Sequence, residues 1–430
     1  RVPMSGGAPR EVLENVQEAD WSPDGKELAV THRSGPRVRL EYPIGTVRYE
    51  ASGWVSHARL SRDGRHLAFV DHPERADSAG RLMILDLTRN TRTEGPLLAG
   101  NAGFAWSPRG ELVLGGGGQL RTVSTSGKVR PLMSVPGGII LEDVAADGRI
   151  LAKRTNYRRE IVGFAPGEAR DRNLTWLDWS YPDDISDDGR VVLFDEQGRD
   201  REDYLCYVRR TDGSPAVLLG RAKGFALSPD GLWALTTNED ASQLTLLPTG
   251  AGSPHPLPKA GLTYQWGEFL PDGKRLVVAA NETGHGSRLY VQELDSAKPS
   301  AITPEGYSAL QKGVSPDGRW VAAVGPDRRI FICSTAGGTP RPLPGSAPDE
   351  HPTGWTADGR SIYVAGAGMP ARVEVCDVAT GRRTFWKDVI PPDPAGILAI
   401  GPILITPDGK SYVYSYRRTL EDLFLATLKR

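Results

Sequence analysis

The 430 residues balance 52 basic against 53 acidic side chains for a formal net charge of -1, so there is no global field to hold a phosphate backbone or an anionic bilayer, and nucleic acid is not an expected partner. The 50 glycines and 34 prolines suit many short strands joined by tight turns better than they suit disorder. No run approaches the ~18 apolar residues that span a membrane, and residues 1–20 hold no apolar signal-peptide core.

The chain is built on a recurring stretch, first seen as Ala19-Asp20-Trp21-Ser22-Pro23-Asp24-Gly25 and closing at turn glycines Gly25, Gly64, Gly110, Gly148, Gly189, Gly231, Gly273, Gly318, Gly359 and Gly409. The steps of 39, 46, 38, 41, 42, 42, 45, 41 and 50 residues lie near the ~40–45 residues of one four-stranded propeller blade. Four residues before each glycine stands an apolar side chain: Trp21, Leu60, Trp106, Val144, Ile185, Leu227, Phe269, Val314, Trp355 and Ile405. Pro presets φ at the first corner, Asp caps the turn, and Gly accepts positive φ. The turn Asp, replaced by Arg109 in the third copy, is therefore a fold residue and not a carboxylate array.

In chain order, residues 1–18 offer a Gly-Gly turn and an outer-strand pattern, Pro9 to Leu13, before the first motif. Alternating second strands follow the turns, as in Leu67-Ala68-Phe69-Val70 and Val191-Val192-Leu193-Phe194. Third strands come about ten residues later, as in Leu82 to Leu87 and Leu289 to Leu294, and a Pro-flanked outer strand such as Arg341-Pro342-Leu343 suits a sheet edge. Three longer inserts, Asp71 to Gly80, Asp195 to Asp203 and Ile390 to Gly396, read as solvated loops, and the basic stretch Arg154 to Arg159 as a solvated face. Cys206, Cys333 and Cys376 each fall in an apolar strand and read as small buried hydrophobes. The C-terminus supplies a turn, a second strand and a third strand (Asp422 to Leu428) but no outer strand. An N-terminal outer strand at Val12 pairing with the strand around Leu425 would complete the last blade. The expectation is an all-β chain, one closed propeller of about ten four-stranded blades over residues 1–430, with two smaller propellers as the alternative. Starting inside a repeat, the chain reads as a domain cut from something longer.

The repeat Ser-Pro-Asp-Gly-(Lys/Arg)-x-Leu-Ala-Val resembles that of TolB-like, WD40-like propellers, also found beside prolyl oligopeptidase-type peptidases. The stretches Arg10 to Trp21, Pro391 to Gly396 and Lys410 to Arg418 are similar to the C-terminal region of acidobacterial eukaryotic-like serine/threonine kinases. That resemblance implies a sensor or interaction domain on the periplasmic or extracellular side, with a membrane helix upstream and no membrane contact within this chain. Kinase motifs are missing: no His-Arg-Asp or Asp-Phe-Gly occurs, and Gly115 to Gly118 leads into Gln119-Leu120 as a worn strand or turn. No Gly-x-Ser-x-Gly elbow occurs either. The expectation is a non-enzyme.

Repeated residues build the fold, so a ligand site is sought where repeats differ. In a propeller the first strand of each blade lines the channel. Its mouth, about seven or eight residues before the turn glycine, reads Gln17, Glu18, His57, Tyr181, Lys223, Gln265, Trp266, Gln311 and His351, with Glu142, Asp183 and Lys312 one residue later. Donors, acceptors and a large aromatic suit a polar small molecule, a glycan or a peptide or protein partner. No cofactor is expected, and no metal, since His57, His351 and Glu18 come from separate blades. The main functional expectation is a non-catalytic sensor or interaction propeller of a receptor-type kinase. Its rivals are a periplasmic TolB-like scaffold and a propeller hydrolase or lyase using paired carboxylates in the funnel.

Overall fold

The computed structural model describes residues 6, 8, 11–34, 37–51, 54–72, 80–98, 103–135, 138–197 and 204–427. Among them every regular element is a strand, and the strands form eight four-stranded sheets and one five-stranded sheet, all paired antiparallel. The all-β propeller-blade expectation is met.

The turn chemistry explains the regularity. All ten turn glycines have positive φ, from 65° at Gly273 and Gly359 to 85° at Gly148, a region that a side chain resists. In the first turn the Gly25 amide donates to Ser22 O at 2.8 Å, while the Ser22 hydroxyl and the Lys26 amide both donate to Asp24 Oδ1. At Asp24, Asp63, Asp188, Asp230, Asp317 and Asp358 the Ser or Thr hydroxyl bond is the largest influence, and each carboxyl lies below its usual range. The Arg109 turn keeps the backbone bond, Gly110 N to Ser107 O at 3.0 Å, without the carboxylate. The chain glycines Gly117 and Gly118, both at positive φ, turn Leu112–Gly116 back into Gln119–Val123.

Apolar strand faces stack between consecutive blades. Leu235, Leu276, Val278 and Ala280 are fully buried in one such layer, each larger side chain contributing about 1.5–3 kcal/mol. Nine of the ten residues four before the turn glycine are buried. The repeat would put Trp21 between blades like its nine counterparts, but it is 46% exposed, because its strand, Val16–Trp21, is the most exposed inner strand. Cys206, Cys333 and Cys376 are free and buried.

The ten turns fall into two compact units, Arg1–Asn156 with Leu420–Arg430, and Tyr157–Thr419. The division departs from the single body expected of one ring of ten, with four turns in the first unit and six in the second. In the second unit the inner strands Ser180–Ile185, Lys223–Leu227, Thr263–Phe269, Ser308–Val314, His351–Trp355 and Ile397–Ile405 lie side by side in succession. The last also packs on the first, closing a ring of six. The first unit holds three four-stranded blades, at 16–51, 54–98 and 103–134, and then Gly138–Val144 paired with the start of Arg149–Phe164.

Closure comes from a different segment than expected. Val12 lies outside any strand and is 44% exposed; Pro9 and Arg10 lie outside the described residues. The strand carrying Leu425, Tyr412–Thr427, pairs instead with Ile397–Ile405 and Arg149–Phe164. The expected second and third strands are a single 16-residue strand, Tyr412–Thr427, and Leu428 lies outside the described residues. In the six-bladed ring, residues 157–164 and Arg172–Asn173 take the outer places of the last blade, with Tyr416 Oη donating to Glu160 at 2.7 Å. In the first unit, residues 420–427 extend the fourth blade, with Arg154 paired to Asp422 at 2.8 Å. One edge of residues 420–427 is thus taken by the start of Arg149–Phe164, and Val12 is not paired with it.

Two loop expectations also change. Residues 73–79 and 198–203 lie outside the described residues, but Asp195 and Glu196 fall in Val191–Gln197 and are 1% exposed. The stretch from Arg154 to Arg159 is strand and not a uniform solvated face. Residues 392–396 are exposed as expected.

Candidate functional site

Alternation along a strand is interrupted in most inner strands by a β-bulge. The pairing slips between Val16 and Glu18, Ser56 and Arg59, Leu141 and Asp143, Pro182 and Asp184, Tyr264 and Trp266, and Ala309 and Val314. The extra residues are Gln17, His57 with Ala58, Glu142, Asp183, Gln265, and residues 310–313. A bulge leaves its residue out of the ladder and re-aims the side chain, and His57 and Lys312 take positive φ, 55° and 56°. The unrepeated positions singled out in the sequence are thus largely the bulge positions.

They do not form a single mouth, because they are divided between the two units. In the first unit the His57 amide donates to the Glu18 carboxylate, and His57 Nδ1 lies 2.8 Å from Ser56 Oγ, which lies 2.8 Å from His72 Nε2. Burial lowers the His57 pKa against the opposing charges of Glu18 and Glu142. Gln17 is exposed, and Glu142 is exposed and paired with Lys153 at 3.4 Å. No group of three His, Cys, Asp or Glu side chains suited to a metal occurs among the described residues.

In the six-bladed unit, Tyr181, Asp183, Lys223, Gln265 and Trp266 come together around a cavity of about 240 Å³. Arg159, Trp179, Asp195, Tyr204 and Phe225 complete most of its wall. Asp183 and Asp195 are 2% and 1% exposed. They come from paired strands of one blade, where Tyr181 faces Asp195. Burial pushes both carboxyls up, Asp183 well above the usual range, helped by the Asp195 charge, and Asp195 to about 7 against the pull of the Gly224 amide and Lys223. The Gly224 amide donates to both Asp195 oxygens, at 2.9 and 3.0 Å. Asp183 Oδ2 is buried with no hydrogen-bond partner among the described residues, as are Trp266 Nε1 and Arg159 Nε. The Arg159 guanidinium lies 4.4 Å from the Tyr181 ring centroid and 5.6 Å from that of Trp179. The Cys206 thiol beside the acid pair is pushed well up by burial, which leaves it inert as a nucleophile.

Lys312 belongs elsewhere. It lines a second cavity of about 200 Å³ with Asp184, Asp187 and Glu268, at 3.1 Å from Asp184 and 2.9 Å from Asp187. Glu268 Oε2 accepts from the Gly313 and Val314 amides, and burial pushes its carboxyl up to about 8. His351 is exposed and lines neither cavity. Gln311 sits in Ser308–Val314, its side chain outside what the structure describes.

Several site residues were not singled out from the sequence. Asp195 looked like the start of a charged loop and Arg159 like one member of a basic run, although Asp195 continues the Val191-Val192-Leu193-Phe194 strand. A second device was also hidden: the acidic residue five before the turn glycine binds the next blade. Asp20 accepts from Leu60 N at 2.8 Å, Asp184 from Leu227 N at 2.7 Å, and Glu268 from the Gly313 and Val314 amides. Trp106 and Trp355 reach back to the carbonyls of Arg59 and Gly313.

Fold and site together define an all-β propeller protein with a polar, aromatic-walled cavity in its six-bladed unit. No family model and no curated protein matches the chain. Among solved structures it is similar to a TolB from Agrobacterium tumefaciens, at 19% identity over 61% of this chain and 98% of that one, with a TM-score of 0.46. A prolyl endopeptidase structure aligns at 15% identity over 93% of this chain and 54% of that one, TM-score 0.32. TolB from Acinetobacter baumannii aligns at 10% identity over 94% and 65%, TM-score 0.26.

Proposed function

We propose that this chain is a non-catalytic binding propeller whose six-bladed unit takes a small polar ligand in the Asp183–Trp266 cavity, and that it serves as the extracytoplasmic sensor region of a receptor-type serine/threonine kinase. The observation that carries the binding role is that three residues lining the cavity each hold a buried polar atom without a partner among the described residues, Asp183 Oδ2, Trp266 Nε1 and Arg159 Nε. Each such orphan costs about 1–3 kcal/mol in an otherwise satisfied interior, a cost that a ligand's polar groups relieve. Support for the kinase connection is in the sequence, in the similarity of residues 10–21, 391–396 and 410–418 to that family. Among the described residues no helix is long and apolar enough to cross a membrane.

The acid pair argues for binding over hydrolysis. Catalytic carboxyls of glycosidases flank the scissile bond from two sides, whereas Asp183 and Asp195 sit on adjacent strands of one blade, with both Asp195 oxygens engaged by Gly224 N. A thermal-shift screen of glycans, short peptides, small acids and divalent metals tests the reading, because a ligand of the native state raises the melting temperature. Gly224→Ala is the matched control: its Cβ would stand 2.9 Å from Asp183 Oδ2 and 3.2 Å from Asp195 Oδ1. A stabilising compound whose effect disappears in Gly224→Ala supports the site. Equal stabilisation of both proteins moves binding elsewhere, and turnover of a glycoside or peptide that vanishes in Asp183→Asn replaces the binding role with a hydrolase.

A further inference from the structure

The polar groups of the Asp183–Trp266 cavity are unevenly matched. Arg159 Nε and Trp266 Nε1 are buried donors without acceptors, and Lys223, on the same wall, makes no ion pair among the described residues. Arg159 has one long hydrogen bond, from a terminal nitrogen to Gly401 O at 3.4 Å, and otherwise lies over aromatic rings. Among the described residues, Arg159 Nε, Trp266 Nε1 and the Lys223 ammonium thus stand as donors without acceptors against one oxygen without a donor, Asp183 Oδ2. Asp195 is already bound to the Gly224 amide.

We infer that the ligand is a small carboxylic acid that also carries a hydrogen-bond donor, its carboxylate meeting Arg159, Lys223 and Trp266 and its donor meeting Asp183. This rests on the binding role proposed above. The charge balance points the same way. Burial keeps a proton on the Asp183–Asp195 pair near neutral pH, so the pair offers at most one negative charge to two cations, and a ligand carboxylate offsets the remainder. A neutral polyol leaves that charge uncompensated, and a cation adds to it. The cavity of about 240 Å³ equals roughly eight water volumes at ~30 Å³ each, the size of a monosaccharide acid or a dipeptide. The aromatic residues Trp179, Tyr181 and Tyr204 in the wall suit the apolar side of either.

A sugar acid and a zwitterionic amino acid or dipeptide share this chemistry, and they differ in protons. An ammonium placed against the acid pair expels the retained proton, whereas a hydroxyl donates its hydrogen bond and leaves that proton in place. The experiment is calorimetric titration of the whole chain with glucuronate and glycylglycine, alongside their uncharged-carboxyl counterparts, the glucuronate methyl ester and glycylglycine amide. Each titration is run in two buffers of different ionisation enthalpy and at low and high salt. The expected result is that one acid binds and its counterpart is at least ~10-fold weaker, as for loss of a charge-assisted hydrogen bond. Lys223→Gln, exposed enough to fold normally, weakens the acid by about the same factor, and so does salt. Proton release near one per site identifies the amino acid source; none identifies the sugar acid. If an ester or amide binds as tightly as its acid, or Lys223→Gln leaves affinity unchanged, the carboxylate inference is overturned while the cavity remains a binding site. If neither these probes nor any compound of the wider screen binds, the binding role falls and the inference with it.

Discussion

Replacing Asp195 with Asn should make the protein more stable at pH 8 than at pH 5 relative to the unmodified chain. The Asp195 carboxyl is 1% exposed and moves from an ordinary value of 3.8 to about 7, chiefly through burial. The native state therefore holds a proton between about pH 4 and 7 that the unfolded state has released. Stability from this group is complete below the unfolded value and is lost as pH rises through the folded one. A displacement of about three units at about 1.36 kcal/mol each sets an upper figure near 4 kcal/mol. Some 2–3 kcal/mol of that develops between pH 5 and 8. The Asn side chain keeps an oxygen for Gly224 N and for the Asp183 hydroxyl, Asp183 being the carboxyl that lies higher, and like the protonated Asp195 it carries no charge. Any steric cost is the same at both pH values and cancels. Melting curves of both proteins at pH 5 and 8 provide the assay, and the difference should grow by roughly 5–10 °C for a unit of this size. A difference that is unchanged between the two pH values, or that shrinks, would refute the shared-proton account.

The second cavity makes a complementary prediction. Lys312→Met keeps the volume but strands Asp184, 7% exposed in its side chain, without its cation, and should cost about 3–5 kcal/mol. Adding Asp184→Asn should restore much of it, a coupling read from a double-mutant cycle by denaturant titration. Turn glycines should divide by their surroundings. Gly231→Ala, at φ 70° with open space around it, should lose about 1–2 kcal/mol to backbone strain alone, whereas Gly409→Ala, at φ 67° with its Cβ driven into the Tyr363 hydroxyl, should lose distinctly more. Equal melting temperatures for the two variants would contradict the packing. Trp355→Phe deletes the indole bond to Gly313 O, 2.7 Å and buried, and should lower stability by about 1–3 kcal/mol without changing ligand affinity in the other cavity.

The turn and the blade were legible because both are local. Ser22, Asp24 and Gly25 solve one corner with contacts two or three residues long, and ten repetitions of that solution declare antiparallel four-stranded sheets before any long-range contact is known. The candidate site was half legible for a related reason. Residues that break the repeat stand out in the sequence, and Tyr181, Asp183, Lys223, Gln265 and Trp266 do share a wall. Arg159 and Asp195 did not stand out, because the same charged residue reads as solvated in a loop and as buried once a neighbouring strand covers it.

What the sequence could not determine was which blades belong together. Alternating apolar residues tell a strand that it has partners, but not which strand supplies them. Tyr412–Thr427 carries one continuous pattern and pairs with residues more than two hundred positions away. That pairing goes with a division of ten like repeats into a ring of six and a separate unit. Within the ring of six, Lys312 lines one cavity and Asp183 another. Backbone turns follow from local stereochemistry; ring closure depends on competition among equivalent sheet edges, and only the assembled tertiary structure settles that competition.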